Sequence, residues 1–287
     1  MPTQKEGEKK RTIYSHSRLS TFEQCPFKFK LRYIDKIVPE IEQSIEAHLG
    51  HVVHEVLEWL YKEVKKDNIP TIDDVIIFYT ELWKRDFNPG IVIVKKHMSQ
   101  EDYFNKGIKF LLDYYTTNQP FDDNTLELEK QIYVKLDPEG DYLIQGFIDR
   151  LVHNLETGEY EIHDYKTAGS LPNKDKFDTD RQLALYALAI KELFGQDKKV
   201  CLTWHYLNFN KKICSYRTDE QLEQLRKDTI NLIKEVEAAT EFPTGKSVLC
   251  GWCEYKDMCP ENGCSPPKQD KQIGLDKYPT ISKYVKD

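Results

Sequence analysis

The run from residue 126 to 167 limits the fold more than any other part of this 287-residue chain. Three segments, 126–136, 142–153 and 159–167, alternate apolar and polar residues and are rich in β-branched and aromatic side chains. Turn signals separate them at Asp137-Pro138-Glu139-Gly140 and Glu156-Thr157-Gly158. Strands joined by such short turns are antiparallel neighbours, so this run predicts a β-meander. Around it the period is helical: 17–36 with an interruption near Pro26 and Ser17 as N-cap, then 45–66, 71–86, 100–116, 177–194 and 219–239. Strands are expected at 199–209 and 212–217, and Ile91 to Val94 reads as a short one. Residues 1–15 are polar and read as loose. Helices, a meander and then helix–strand–helix predict an α/β or α+β chain with a helical insertion ahead of the sheet.

Composition narrows the function. Hydrophobic residues are 39% and charged residues 31%, enough for an ordinary packed core. The net charge of −7 argues against a histone-like or ribosomal binder, although a local basic groove is still compatible with it. No apolar run reaches the eighteen or so residues of a membrane helix, and MPTQKEGEKKR lacks the apolar stretch of a secretory signal. A cytoplasmic protein without membrane partners is expected, and there seven cysteines do not read as disulfides.

The meander carries the most informative side chains. Its second and third strands read IQGFIDRL and EIHDYKT. Alternation puts Asp164 and Lys166 on one face, with Tyr165 on the other. With a four-residue turn at Leu155–Gly158, Asn154 opposes Glu159 and Asp149 falls opposite Asp164. A bulge at Gly158 shifts that register by one. Facing carboxylates repel, and a hard divalent cation held between them removes the conflict. A lysine beside them can position or activate water, or balance charge on a phosphate. The bland alternative is a solvated hairpin with scattered charges. Gly50 and His54 share a face of the 45–66 helix, and Gln182 and Tyr186 share a face of a later one. Spacing alone does not choose among His48, His51 and His54.

The ordered set GHVVH, GFIDR, DYKT and RQLALY resembles the PD-(D/E)XK nucleases of the RecB-like branch, the type that includes CRISPR-associated RecB-like exonucleases and the AddB C-terminal nuclease. The resemblance implies a restriction-endonuclease-like core, a central mixed sheet flanked by helices. It implies that His54, Asp149, Asp164 and the Tyr165 carbonyl bind Mg²⁺ or Mn²⁺. It further implies that Lys166 is the catalytic lysine and that Gln182 and Tyr186 support the site and contact DNA. His54 is preferred because the family's spacing counts from Gly50.

Cys250, Cys253 and Cys259 form a compact group, as thiolate ligands of zinc or an iron–sulfur cluster do. A fourth ligand is either Cys264, close in sequence, or Cys25 in FEQCPFKFK. Loop entropy favours Cys264. The resemblance favours Cys25, and implies a [4Fe–4S] cluster held by Cys25, Cys250, Cys253 and Cys259, with zinc as the alternative. Cys201 and Cys214 read as core residues. PTGKS at 243–247 has Thr240 where a phosphate-binding loop needs its first glycine, so no nucleotide site is expected. Phe27, Phe29 and Tyr33, interleaved with basic residues, could stack on bases or pack in the core.

The expected organisation is an N-terminal segment with the first cluster cysteine (1–44), a core helix with His54 (45–66), a helical insertion (67–125), the nuclease core (126–240), an iron–sulfur region (241–265) and a tail (266–287). The expected function is metal-dependent exonucleolytic hydrolysis of DNA, single-stranded or at ends, in CRISPR adaptation or in repair and recombination. The partners would be CRISPR adaptation proteins or a helicase. The competing class is a non-catalytic module that binds DNA ends or a helicase.

Overall fold

The computed structural model describes residues 13–39 and 43–262. In chain order its elements are β1 (Ile13–Ser15), α1 (His16–Gln24), α2 (Pro26–Phe29), β2 (Gln43–Ser44), α3 (Ile45–Val64), α4 (Ile72–Asp86), β3 (Ile91–Val92), α5 (Gln100–Asn118), β4 (Thr125–Lys135), β5 (Leu143–His153), β6 (Tyr160–Lys166), α6 (Lys174–Asp178), α7 (Arg181–Phe194), β7 (Val200–Tyr206), β8 (Lys211–Ser215) and α8 (Asp219–Ala238). The main helices start where side chains can satisfy the first free amides. Thr71, Ser99 and Thr218 each form a reciprocal capping box. Ser15, rather than the expected Ser17, caps α1 by accepting from the Arg18 amide at 3.1 Å. Cys25 is extended, and Pro26 restarts the helix as the first residue of α2.

The sheet has six strands. β4 runs antiparallel along one whole edge of β5. The other edge of β5 is shared. β1, in a segment expected to be loose, joins it in parallel at Leu143–Gln145, and β6 joins it antiparallel at Arg150–His153. Between those two stretches residues 146–149 have no ladder partner on that edge among the described residues. β7 lies parallel to β6, as a helical crossover through α7 requires, and β8 closes the sheet as an antiparallel edge.

Each face of the sheet has its own core. On one face α1, α7 and α8 cover Ile132, Val134, Ile144, Ile148, Leu151, Ile162 and Leu202. On the other, α3, α4 and α5 enclose Tyr165 and Leu207. Ile148 and Leu151 both face α7, so the alternation along β5 slips by one between them. The same slip occurs on β4, where Ile132 packs toward α7 and Leu128 toward α3. Glu129, at the slip, has a left-handed backbone (φ 46). The result is the expected central mixed sheet flanked by helices, with a local break in the strand pattern at residues 129 and 149. Among the described residues no helix is long and apolar enough to cross a membrane.

Candidate active site

The break in the sheet builds the site. Pairing of β5 with β6 follows the register expected from a four-residue turn, with Asn154 donating to the Glu159 carbonyl and the ladder running from His153–Tyr160 to Arg150–His163. There it ends. The Asp149 carboxylate, instead of facing Asp164 across a ladder, accepts the Tyr165 amide at 2.9 Å. α3 closes over this gap. His54 Nε2 lies 2.7 Å from the Tyr165 carbonyl and Nδ1 lies 3.4 Å from Asp149 Oδ2. Both backbone polar atoms of Tyr165 are thus held, the carbonyl by His54 and the amide by Asp149.

Glu129 is the residue the sequence did not single out. It sits beside Asp149 between the flanking pairs Leu128–Arg150 and Lys130–Ile148. One ligand atom each of His54, Glu129 and Asp149 lie within 4.8 Å of one another. In sequence Glu129 falls in TLELEKQIYV, where a polar residue reads as the solvent side of a strand. Only the strained backbone marks it, and such strain concentrates at functional sites. Desolvation, then the neighbouring Asp149, push its carboxyl up to about 7.

Asp164 and Lys166 share a face of β6. Lys166 Nζ donates to Asp164 Oδ1 at 2.9 Å and lies 3.3 Å from Gln182 Oε1. Asp164 is buried, and among the described residues its Oδ2 makes no hydrogen bond although the ammonium lies 2.7 Å away. Burial pushes Asp164 up to about 6, against the pull of Lys166. Burial acts to strip the Lys166 proton, but Asp164 and then Asp149 outweigh it and hold the ammonium above its ordinary value. Tyr186 stands one turn beyond Gln182 and contacts β5 where Gly146 makes room. A Cβ at Gly146 would lie 2.2 Å from the Tyr186 ring.

The donor set suits a hard divalent cation. His54, Glu129 and Asp149 converge beside the Tyr165 carbonyl, Asp164 next to them carries a buried oxygen with no hydrogen bond among the described residues, and burial together with the Asp149 charge pushes the Glu129 and Asp164 carboxyls up. A cation bound by His54, Glu129 and Asp149 would relieve the repulsion around Asp149. His48 and His51 lie elsewhere. His48 is buried against Trp83 and Phe87, and His51 is exposed beside Glu55.

Behind Tyr165 lies a second polar cluster. Arg150 is wholly buried, and its Nε donates to the Tyr165 hydroxyl at 3.1 Å. Its other nitrogens reach Asp123, Thr125 and His163 Nδ1, and its guanidinium lies 4.0 Å over the Tyr61 ring. Tyr61, Tyr114 and Tyr165 hydroxyls run on from it at 2.8 and 3.2 Å.

Cys25 lies against the segment that follows α8. Its sulfur accepts the Lys28 and Gly245 amides at 3.4 and 3.3 Å, and the Ser247 amide lies 3.3 Å from Cys250 Sγ. Gly245 of PTGKS is there because of closeness, since a Cβ would meet the Gln24 carbonyl at 2.2 Å. Among the described residues no three of the cysteine sulfurs lie within 4.8 Å of one another. Cys264 falls outside the described residues. Of the two cysteines expected in the core, Cys201 is buried but Cys214, on edge strand β8, is exposed. Phe29 is buried among Phe22, Tyr33 and Phe242, so it packs in the core and is closed to bases.

Comparison with known proteins agrees with this geometry. The sequence model of the PD-(D/E)XK nuclease superfamily matches residues 13–260. One subunit of an ATP-dependent helicase/deoxyribonuclease from Clostridium perfringens (strain SM101 / Type A) is 24% identical over 217 residues, 63% of this chain. The match spans 17% of that relative's length. A crystal structure of an exonuclease candidate from Eubacterium rectale superposes with a TM-score of 0.53 at 13% identity, over 91% of this chain and 94% of that one, a likeness of fold. The chain belongs to the PD-(D/E)XK nuclease superfamily.

Proposed function

We propose that this chain is a divalent-metal-dependent deoxyribonuclease that hydrolyses phosphodiester bonds, as an exonuclease acting on single-stranded DNA or DNA ends. The observation that carries the reading is the gathering of His54, Glu129 and Asp149 within 4.8 Å, beside buried Asp164, whose carboxylate pairs with Lys166. His54, Glu129, Asp149, Asp164 and the Tyr165 carbonyl would hold Mg²⁺ or Mn²⁺. The cation would lower the pKa of water and balance charge on the phosphate. Asp149 accepts the Tyr165 amide and so fixes the carbonyl at the other side of that residue. Lys166, kept cationic by Asp164, reaches solvent with a side chain 32% exposed and can position the attacking water or meet a phosphate oxygen. Gln182 orients Lys166, and Tyr186 buttresses β5.

Cys25, Cys250, Cys253 and Cys259 would hold a [4Fe–4S] cluster, or zinc at the same positions. Backbone amides point at the Cys25 and Cys250 sulfurs, where they would hold the ligating atoms in place, and this supports the reading. The cluster would tie the N-terminal helices to the segment after α8. The similarity to a helicase/deoxyribonuclease component supports a helicase partner and a role in DNA repair or recombination ahead of CRISPR adaptation.

The test is incubation of purified protein with end-labelled single-stranded DNA and Mn²⁺, with and without EDTA. Metal-dependent loss of label that Lys166→Ala abolishes is expected. Tight binding without cleavage would identify a non-catalytic DNA-end module.

A further inference from the structure

Among the described residues nothing covers the face of β4 and β5 next to the carboxylates. Its reverse is closed: Ile132, Val134, Ile144 and Ile148 are buried, and Gly146 lies against the Tyr186 ring. Gln131 pairs with Phe147 and Tyr133 with Gln145, so alternation places these four side chains together on the open face. Phe147 is 40% exposed and Tyr133 51%. Exposed aromatics on a sheet whose other side is packed leave apolar area in water, and nothing among the described residues covers it.

The placement is regular. Phe147 is two residues from Asp149 on β5, and Gln131 is two residues from Glu129 on β4. At about 3.3–3.4 Å per residue, the Phe147 position lies roughly 7 Å from Asp149 along the strand. Tyr133 lies one diagonal further, another 7–8 Å or so. The two rings are each paired across the strands with an amide side chain, and Gln131 Nε2 donates to the Tyr133 hydroxyl at 2.9 Å. None of the four side chains is charged, so the strip presents stacking surfaces and hydrogen-bonding groups with no carboxylate to repel phosphates.

We propose that this strip is a base-stacking track for single-stranded nucleic acid, with Phe147 and Tyr133 each receiving one base of the strand whose scissile phosphate lies at Asp149 and Lys166. The proposal rests on the nuclease reading and deepens it. It identifies an unpaired strand as the substrate class, because stacking on an exposed ring needs a base freed from its own duplex partner. Continuity with the carboxylates favours a nucleic acid over a protein partner. The strip begins two residues from the site and continues outward in steps of two.

The test uses a fluorescein-labelled oligothymidylate of about twenty nucleotides, with Ca²⁺ in place of Mg²⁺, read by fluorescence anisotropy. Phe147→Ala and Tyr133→Ala should each weaken binding at least about fivefold, and Phe147→Trp should retain it, since stacking contributes about 1–3 kcal/mol per base. Binding of a blunt duplex should change less than twofold. Both positions are exposed, so the variants should unfold with the parent; circular dichroism checks this. Alanine variants that bind the oligonucleotide as the parent does, or that lose duplex and single-strand binding equally, overturn the track. Parental cleavage in Mn²⁺ is measured alongside. If the parent cuts and the variants bind normally, the track alone fails. If the parent does not cut, the nuclease reading fails, whatever the anisotropy shows.

Discussion

Two polar clusters meet at the peptide of Tyr165, and they are built to opposite rules. Behind the peptide, Arg150 is wholly buried, and its guanidinium meets Asp123, Thr125, His163, the Tyr165 hydroxyl and the Tyr61 ring. In front of it, Glu129 and Asp149 gather beside the His54 imidazole, Asp164 pairs with the Lys166 ammonium, and among the described residues a buried Asp164 oxygen has no hydrogen bond. A buried charge whose partners are complete is a structural device, because removing one partner strands the rest. A buried group of anions short of positive charge is a receptor for a cation. Burial is therefore a poor discriminator between scaffold and site in this protein. What separates them is whether the charges already balance.

Mutations on each side should break that contrast differently. The largest effect belongs to the front. Lys166→Ala should reduce metal-dependent cleavage by on the order of 10³-fold, from loss of a preorganised cation at the phosphate. Its thermal midpoint should stay near that of the parent, because the ammonium lies at the solvent edge. Measured turnover within tenfold of the parent would remove Lys166 from the chemistry.

Next is the back. Arg150→Met leaves Asp123, Thr125, His163 and the Tyr165 hydroxyl short of a donor or a partner. It should cost about 3 kcal/mol in urea unfolding. Because the loss is structural, adding Mn²⁺ should not restore it. A variant as stable as the parent would show that the cluster is not a scaffold.

Acid should also act on the back. Burial, with Arg150 nearby, holds His163 well below its ordinary value, and burial, then His163 and Arg150, do the same for His205. The folded rings stay neutral where unfolded ones take up protons, so stability is complete above about pH 6.5 and falls as the pH drops below it. His205→Gln should flatten that fall by roughly 1 kcal/mol per pH unit between pH 6.5 and 5. An unchanged slope, from denaturant midpoints across that range, would mean that His205 is protonated in the fold.

The smallest effect returns to the front. A raised carboxyl costs stability above its folded pKa and nothing below its unfolded one. Without metal, Glu129→Gln should therefore stabilise by about 1 kcal/mol at pH 8 and leave stability at pH 4 unchanged. With Mn²⁺ the parent should gain more in thermal midpoint than the variant. Equal gains would exclude Glu129 as a ligand.

Much of this was legible from residue patterns, and the failures have a common cause. The meander, the main helices and the turn at Leu155–Gly158 follow from local periodicity and turn chemistry, which sequence carries directly. The sharing of Asp164 and Lys166 on one face follows from the same alternation. Glu129 escaped because alternation predicts it outward, and only the slip in β4 and β5 turns it to the site. β1 escaped because three residues of parallel strand have no local pattern, and their partner lies 130 residues away. The role of PTGKS was hidden for a similar reason: Gly245 answers to Gln24 and Cys25, far off in the chain. Long-range closeness, and the strain that it imposes, is what periodicity cannot encode.

The chemistry turns on whether the front cluster holds a hard cation. Anomalous diffraction from a crystal soaked in Mn²⁺ tests this most directly. A peak in contact with Asp149, Asp164 and the Tyr165 carbonyl, absent in Asp149→Asn crystals soaked alike, is the predicted result. A crystal whose manganese sits elsewhere, or binds equally without the Asp149 carboxylate, would contradict it.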